Sequence, residues 1–164
     1  MTEYEIGVPF RLFTEEECIQ WINRANKWSD SKVYGQDTSI VRTNPISWVE
    51  ITDNEYSKFW ELARQWHEHI TWFEHPIQIS RYSSKEFYHW HKDVKPTNRS
   101  SQRYLSLTST LQSAPGAKFE TENQSYDLTS GEAVFFYSDT LHRATAPTSS
   151  ERISLTIWYM QKTK

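Results

Sequence analysis

The hydrophobic period of the sequence changes at Pro76, and this change constrains the fold more than any other feature. Before Pro76, apolar residues recur at the three- and four-residue spacing that is typical of helices. After it, short segments rich in Thr, Ile, Tyr and Phe alternate with a period of two, and Pro, Gly, Asn or Ser separates them, as between β-strands. Helices followed by a run of strands indicate an α+β fold, with the helices packed on one side of an antiparallel sheet, sandwich or small barrel.

Two helices are predicted in the first half of the chain. Thr14 and Glu17 have the spacing of a capping box, and the apolar stripe behind them predicts a helix over 15–27. A second helix is predicted to begin near Asp53. Its stripe holds six apolar residues: Tyr56, Phe59, Trp60, Ala63, Trp66 and Ile70. Between the helices, residues 29–44 are polar, which predicts a loop.

Six short strands are predicted after Pro76. They cover residues 77–82, 87–92, 104–111, 117–121, 132–137 and 152–160. No linker or repeat divides the 164 residues, so we expect a single domain over 1–164. We expect a helical region at about 13–72 and a strand core at about 76–161.

Composition excludes several classes of protein. The 18 basic and 21 acidic residues give a net charge of −3, which argues against a generally basic nucleic-acid binder. No stretch approaches the length of a membrane span, and the first residues lack the pattern of a secretory signal. Cys18 is the only cysteine, so no disulfide framework is expected. These features predict a cytoplasmic protein without a membrane partner.

A histidine close to a carboxylate is the main chemical signal. Residues i and i+2 of a strand share a face, so His91 and Asp93 can reach one point together. His142 lies 49 residues after Asp93 and completes a set of two histidines and one carboxylate. Such a set suits iron(II) with open coordination positions, and we predict His91, Asp93 and His142 as metal ligands.

Other candidate ligands fit a metal site less well. His89 has the same strand parity as His91 and is the nearest alternative, but we interpret it as part of a pocket wall. His67 and His69 would point in directions about 200° apart on a helix. Asp139 is expected to cap a turn.

An arginine follows the third predicted ligand at a useful distance. Arg152 lies ten residues after His142 and shares a predicted strand face with Ser154, Thr156 and Trp158. A guanidinium beside an open iron site can bind a carboxylate through two hydrogen bonds, as the far end of 2-oxoglutarate requires. The full order, H-x-D, then His, then Arg, is far more specific than any of its parts.

Residues 77–160 resemble the double-stranded β-helix core of the iron(II)- and 2-oxoglutarate-dependent oxygenases, and most of all the prolyl hydroxylases. The family pattern Y-x5-Y-x2-H-x-D is matched by Tyr82, Tyr88, His91 and Asp93. The segments S-G-E-A-V-F-F-Y-S-D-T-L-H-R and R-I-S-L-T-I-W-Y resemble the family's approach to the second histidine and its cosubstrate strand. Upstream, V-R-T-N-P-I-S-W resembles the segment before the second family helix, whereas G-A-K-F departs from the G-G-E of many relatives.

The resemblance implies a jelly-roll or cupin-like core with the N-terminal helices packed on one sheet. It also implies roles for residues around the metal. Those expected to bind the cosubstrate are Tyr82, Thr108, Arg152, Ser154 and Thr156. Those expected beside the reaction centre and the substrate are Tyr88, Arg103 and Trp158.

The implied activity is that of an Fe(II)- and 2-oxoglutarate-dependent dioxygenase that hydroxylates a prolyl residue in a peptide or protein. It consumes O2, converts 2-oxoglutarate to succinate and CO2, and is expected to be supported by ascorbate. Nucleic acid is disfavoured as a substrate, because nucleic-acid demethylases of this type place a second arginine where Trp158 stands. Two alternatives stay open: a hydroxylase of a free amino acid or other small molecule, and a non-catalytic 2-oxoglutarate-binding module.

The loop at 29–44 bears on this choice. In prolyl hydroxylases a mobile loop covers the bound peptide, and the polar composition here suits a segment that orders on binding. The alternative is an ordinary surface loop over a small-molecule pocket. A basic stretch, 81–103, would lie near the same mouth and could attract an acidic or phosphate-bearing partner.

Overall fold

The computed structural model of the protein describes residues 3–30, 42–94 and 102–162. Most of the loop predicted at 29–44 therefore lies outside the described residues. No helix in the described ranges is long and apolar enough to cross a membrane.

Both predicted helices are present, and both end earlier than predicted. Helix α1 (Glu15–Arg24) begins with the predicted capping box, in which Thr14 accepts from the Glu17 backbone and Glu17 accepts in return. Helix α2 (Asp53–Leu62) carries a second capping box on Thr52. The first helix was predicted to reach residue 27, but the backbone is already extended at Ala25.

The apolar stripe of α2 continues beyond the helix itself. A 3₁₀ turn (Arg64–Trp66) follows α2, and Ile70 begins a strand instead of the last helical turn. Trp66 and Ile70 are nevertheless buried, at 6% and 1% exposure. Both residues are buried, as their place in the apolar stripe predicts, but the backbone there is not α-helical, because tertiary packing overrides the local helical period.

Twelve strands are found in the described residues. They are β1 (Phe10–Arg11), β2 (Ser29–Asp30), β3 (Pro45–Val49), β4 (Ile70–Phe73), β5 (Ile77–Tyr82), β6 (Tyr88–His91), β7 (Arg103–Gln112), β8 (Phe119–Thr121), β9 (Ser125–Tyr126), β10 (Glu132–Tyr137), β11 (His142–Ala144) and β12 (Arg152–Gln161). The predicted strands 77–82 and 132–137 match β5 and β10 at both ends. The other four are present with shifted ends.

Six of the strands were not predicted, and three of them, β2, β3 and β4, lie in the region of about 13–72 that was expected to be helical. Four of the six, β1, β2, β9 and β11, contain only two or three residues each. A segment that short contains too few residues to show a period of two. Strand β4 was missed because Ile70 also fits the helical stripe of α2.

The strands form two antiparallel sheets, as a double-stranded β-helix requires. The major sheet has the order β1-β10-β7-β12-β5-β3-β2, with β4 also paired to β12. The minor sheet has the order β6-β11-β8-β9. Because the two central strands β7 and β12 are ten residues long, they provide a continuous floor beneath the minor sheet.

The helices pack on the outer face of the major sheet, as predicted. Trp21 of α1 and Phe59 of α2 belong to the same buried cluster as Ile157 and Tyr159 of β12. The Tyr159 hydroxyl donates a hydrogen bond of 2.6 Å to the Phe59 carbonyl, which ties α2 to the sheet. The inner face of the sheet is therefore free for a cleft.

Gly131 anchors the N-terminal segment to the major sheet. Its carbonyl accepts hydrogen bonds from the backbone of Leu12 and Phe13, at 2.7 and 3.1 Å. Its φ is +92°, and a Cβ there would lie 2.1 Å from the Phe13 carbonyl oxygen. Both the left-handed backbone and the close backbone contact require glycine.

Gly131→Ala should lower the free energy of unfolding by about 3 kcal/mol, because it adds a backbone clash to the strain of a positive φ. Urea denaturation measures this loss. Gly7→Ala is the matched control, since φ is +78° but the nearest atom is the movable Tyr126 hydroxyl at 3.0 Å. Only about 1 kcal/mol should be lost there. Equal losses at the two positions would contradict the role given to the clash.

Candidate metal centre and its cleft

The three predicted metal ligands meet between the two sheets. His91 ends β6 and His142 begins β11, and the antiparallel pairing of these strands places the two residues opposite each other. Asp93 follows two residues after His91, and all three are buried. One potential ligand atom from each lies within 4.8 Å of the others. Among the described residues this is the only group of three or more such side chains that could hold a metal ion.

The separations fit a metal ion bound on one face of an octahedron. Asp93 Oδ1 lies 3.5 Å from His91 Nε2 and 3.2 Å from His142 Nε2. An octahedral ion with ligand bonds of about 2.1 Å needs neighbouring donors about 3 Å apart. The two imidazoles and one carboxylate suit iron(II) and leave the opposite face open.

Hydrogen bonds fix the orientation of both imidazoles. His91 Nδ1 donates to the His89 carbonyl at 2.6 Å, and His142 Nδ1 donates to the Thr140 carbonyl at 2.8 Å. A carbonyl oxygen only accepts, so Nδ1 of each ring carries a proton, and Nε2 is the nitrogen left to face a metal. Burial is the largest cause that lowers the pKa of His91, to about 4, and the neighbouring His142 adds to the effect, so the His91 ring is neutral at pH 7.

The carboxylate of Asp93 is ionised. Burial alone would raise its pKa, but His142 and His91 outweigh burial and hold the pKa well below its usual value. Oδ1 faces the imidazoles, whereas Oδ2 accepts hydrogen bonds from Ser106 Oγ and Trp158 Nε1, at 2.7 and 2.9 Å. Metal binding requires an ionised carboxylate and deprotonated Nε2 atoms, so a metal ion would displace any proton that Asp93 shares with the imidazoles.

Arg152 is a buried cation at the side of the same cleft. It is 4% exposed, and its guanidinium lies 5.7 Å from the centre of the Tyr82 ring. Burial lowers the pKa of Arg152, and one terminal nitrogen donates to Thr110 at 3.4 Å. In the described part of the chain no carboxylate pairs with it. A buried guanidinium without a counter-ion is suited to bind an anion that enters the cleft.

The other residues predicted around the cosubstrate line the cleft as well. The pairing of the strands explains why these residues lie together. Tyr82 of β5 pairs with Arg152 of β12, and Thr108 of β7 pairs with Thr156 of β12. Ser154 lies between the two β12 residues on the same face. The cleft encloses about 430 Å³ including its open mouth, which is within the range of small-ligand sites.

The residues predicted beside the substrate occupy different positions. Tyr88 stacks on His91, with ring centres 3.4 Å apart and planes 4° from parallel, and burial raises its pKa to about 12. Trp158 also lines the cleft. Arg103 does not line it; this residue pairs with Glu74 at 2.9 Å and lies 3.8 Å above the Trp158 ring.

Arg42 lines the cleft and was not predicted as a site residue. It is 5% exposed, and it donates to Asn44, Gln78 and Ser80 at 2.9 to 3.0 Å. Its guanidinium lies 4.4 Å above the Tyr88 ring. Within the V-R-T-N-P-I-S-W segment no spacing connects Arg42 to the metal ligands. The sequence signal available for Arg42 was the presence of polar residues, Gln78 and Ser80, at the inward positions of β5.

The competing histidines do not join the metal group. His89 is exposed, and only its carbonyl contacts the centre, through His91. His67 stacks on Trp60, with ring centres 4.2 Å apart, and its Nε2 donates to the Trp60 carbonyl at 2.8 Å. Asp139 is exposed.

Comparisons with known proteins agree with this geometry. The sequence-family model of the 2OG-Fe(II) oxygenase superfamily matches residues 77–160 of the chain. A search of curated proteins finds no match to the sequence. Several prolyl hydroxylases are among the solved structures that share the fold.

The first is the viral collagen prolyl hydroxylase of Paramecium bursaria Chlorella virus-1 in complex with 2OG. It has a TM-score of 0.75 and 18% identity over 95% of this chain and 96% of that one. A prolyl-4-hydroxylase of Pseudomonas putida has a TM-score of 0.71 and 16% identity over 95% and 92%. A prolyl hydroxylase of Trichoplax adhaerens, in complex with a hypoxia inducible factor peptide fragment, has a TM-score of 0.71 and 16% identity over 93% and 82%.

His91→Ala should weaken the binding of Mn²⁺ by more than about a hundredfold, since it removes one of three ligands. Equilibrium binding followed by electron paramagnetic resonance measures this. His89→Ala is the matched control and should bind Mn²⁺ about as tightly as the unmodified protein. Loss of binding in His89→Ala with retention in His91→Ala would reverse the assignment.

Proposed function

The chain belongs to the 2OG-Fe(II) oxygenase superfamily, and we propose that it hydroxylates a prolyl residue in a peptide or protein. It is a 2-oxoglutarate-dependent dioxygenase that uses iron(II) and O2. The prolyl substrate is supported by one observation: three prolyl hydroxylases share its fold over more than nine tenths of this chain. In the proposed reaction 2-oxoglutarate is converted to succinate and CO2.

The metal would be held by His91 Nε2, Asp93 Oδ1 and His142 Nε2. When bound, iron(II) supplies open coordination positions at which 2-oxoglutarate and O2 react to oxidise a C–H bond of the substrate. The chain keeps these three donors within 4.8 Å of one another and keeps Asp93 ionised. Phe119 and Phe136 pack against His142, with ring centres 5.6 and 4.7 Å away, and exclude water from that side.

The cosubstrate would lie along β12. The Arg152 guanidinium would bind its distal carboxylate, while the hydroxyls of Thr108, Ser154 and Thr156 line the way to the metal. The Tyr82 ring forms the wall beside Arg152. Because Arg152 has no anionic partner in the described residues, a bound dianion would neutralise a charge that is otherwise buried alone.

The substrate would meet the cleft between Tyr88 and Trp158. Aromatic walls suit the apolar ring of proline, which has no backbone N–H to satisfy. Glu74 and Arg103 form a hydrogen-bonded pair beside Trp158, with side chains 10% and 18% exposed. Such a pair can accept from and donate to the backbone of an extended peptide.

Arg42 favours a second candidate function, hydroxylation of a free amino acid. A free amino acid carries a carboxylate close to the atom that is oxidised. Arg42 is a buried cation whose described partners are all neutral, so it can bind such a carboxylate. A peptide would offer a neutral backbone carbonyl at the same point.

Arg152→Ala should raise the KM for 2-oxoglutarate by about two orders of magnitude, because a charge-assisted pair in a buried site is worth a few kcal/mol. Arg152→Lys should retain part of the affinity, since lysine keeps the charge but not the paired donors. Arg81→Ala is the matched control, because Arg81 pairs with Glu151 outside the cleft. Succinate formation measures all three. An unchanged KM in Arg152→Ala would refute the anchor.

Proline-containing peptides, incubated with iron(II), 2-oxoglutarate and ascorbate, should gain the mass of one oxygen atom on a prolyl residue. Arg103→Ala should reduce this peptide hydroxylation far more than it reduces 2-oxoglutarate turnover without substrate, because Arg103 lies outside the cosubstrate cleft.

If free proline gains oxygen and no peptide does, the small-molecule function holds. In that case Arg42→Gln should raise the KM for the amino acid by about tenfold or more.

A further inference from the structure

The two oxygens of the Asp93 carboxylate have different surroundings. Oδ1 faces the Nε2 atoms of His91 and His142, at 3.5 and 3.2 Å. Oδ2 faces away from them and accepts from Ser106 Oγ at 2.7 Å and from Trp158 Nε1 at 2.9 Å. Only Oδ1 is therefore directed at the place where a metal would lie.

The hydrogen bonds around Oδ2 have a fixed direction. The Ser106 hydroxyl donates its single proton to Oδ2 at 2.7 Å. Ser138 Oγ lies 2.9 Å from Ser106 Oγ, and Ser106 has no second proton to offer. Ser138 must then donate to Ser106, and the chain Ser138 to Ser106 to Asp93 has one polarity. Both serines are fully buried, so water does not compete.

Ser138 also holds the backbone next to the ligand. Its carbonyl accepts from the backbone N–H of Asp93 at 2.9 Å and of Val94 at 3.2 Å. Its own N–H donates to the Tyr104 carbonyl at 3.0 Å. One residue after β10 thus connects β7 to the segment that carries Asp93, through both main chain and side chain.

We propose that Ser106 and Ser138, with the indole of Trp158, are positioning residues that keep Asp93 a monodentate metal ligand. Two donors saturate Oδ2, which leaves only Oδ1 for the metal. A carboxylate that bound through both oxygens would occupy a coordination position that the cosubstrates need. This role rests on the metal binding that the oxygenase family implies and does not depend on the identity of the substrate.

Trp158 has a second role in this arrangement. The sequence predicts Trp158 as a wall of the substrate pocket, and its ring does line the cleft. Its N–H, however, is directed at Asp93, so the residue is part of the metal centre's hydrogen-bond network. A phenylalanine would keep the wall and remove the donor.

The test measures Mn²⁺ affinity without cosubstrate or substrate. Ser106→Ala and Trp158→Phe should each weaken Mn²⁺ binding by about 10- to 100-fold, the effect typical of losing a partner of a metal ligand. Ser138→Ala should weaken it less, since it acts on Asp93 through Ser106. Ser106→Thr keeps a hydroxyl and should restore most of the affinity.

Ser109→Ala is the matched control. Ser109 lies on the same strand, is fully buried and donates to the Glu132 carbonyl at 3.1 Å, with no contact to Asp93. The Ser109→Ala variant should bind Mn²⁺ about as tightly as the unmodified protein. If Ser109→Ala loses as much affinity as Ser106→Ala, the effect is one of general packing and the proposal fails.

A spectroscopic readout addresses the coordination mode directly. Infrared difference spectra between the Mn²⁺-bound and metal-free protein distinguish monodentate from bidentate carboxylates. The unmodified protein should show a monodentate carboxylate, and the Ser106→Ala Trp158→Phe variant a bidentate one. Undiminished Mn²⁺ affinity in Ser106→Ala, or the same monodentate signal in the double variant, would overturn the proposal. Either result is independent of whether a prolyl peptide is hydroxylated.

Discussion

The antiparallel pairing of β6 with β11 is the constraint on which the rest of the site depends. It places His142 opposite His91, although 50 positions of sequence separate them, and it brings Asp93 between their Nε2 atoms. The pairing alone would not define a metal centre, because imidazole rings on a short strand can rotate. Backbone carbonyls two residues before each histidine accept from Nδ1 and fix both rings.

Strand β12 shows how one segment serves both the core and the site. Ile153, Leu155 and Ile157 face the helices and belong to the main hydrophobic cluster. The alternate residues, from Arg152 to Trp158, line the cleft on the opposite face. Because the strand is buried on both sides, a shift of one residue would move polar side chains into the core and apolar ones into the cleft. Core packing therefore maintains the register that the proposed cosubstrate site requires.

This division also explains what could be predicted from the sequence. The alternation in β12 and the i, i+2 spacing of His91 and Asp93 are local patterns, and the structure places those residues on one cleft. Arg42 and Ser138 have no such pattern, because each reaches the site through contacts with strands distant in sequence. A lone arginine or serine is consistent with too many environments to predict a role.

The fold class was predicted correctly for a similar reason, and the short strands that were not predicted share one cause. Long periodic segments such as α2 and β10 are visible in the sequence, whereas β9 and β11 contain two and three residues. Their positions are set by partner strands. The helix predicted to continue to Ile70 ends at Leu62 because the burial of Trp66 and Ile70 is achieved by a 3₁₀ turn and a strand. Hydrophobic period identifies which residues are buried more reliably than it identifies the backbone that buries them.

The contacts around Asp93 connect the metal centre to the surface where a substrate would arrive. Glu74 pairs with Arg103, whose guanidinium lies on the Trp158 ring and donates to the Asp93 carbonyl at 3.4 Å. Trp158 in turn donates to the Asp93 carboxylate. A group that binds at the rim and moves Arg103 would therefore act on the same indole that holds the metal ligand. Trp158 is therefore shared by the rim and the metal centre, because its ring lies under Arg103 and its N–H donates to Asp93.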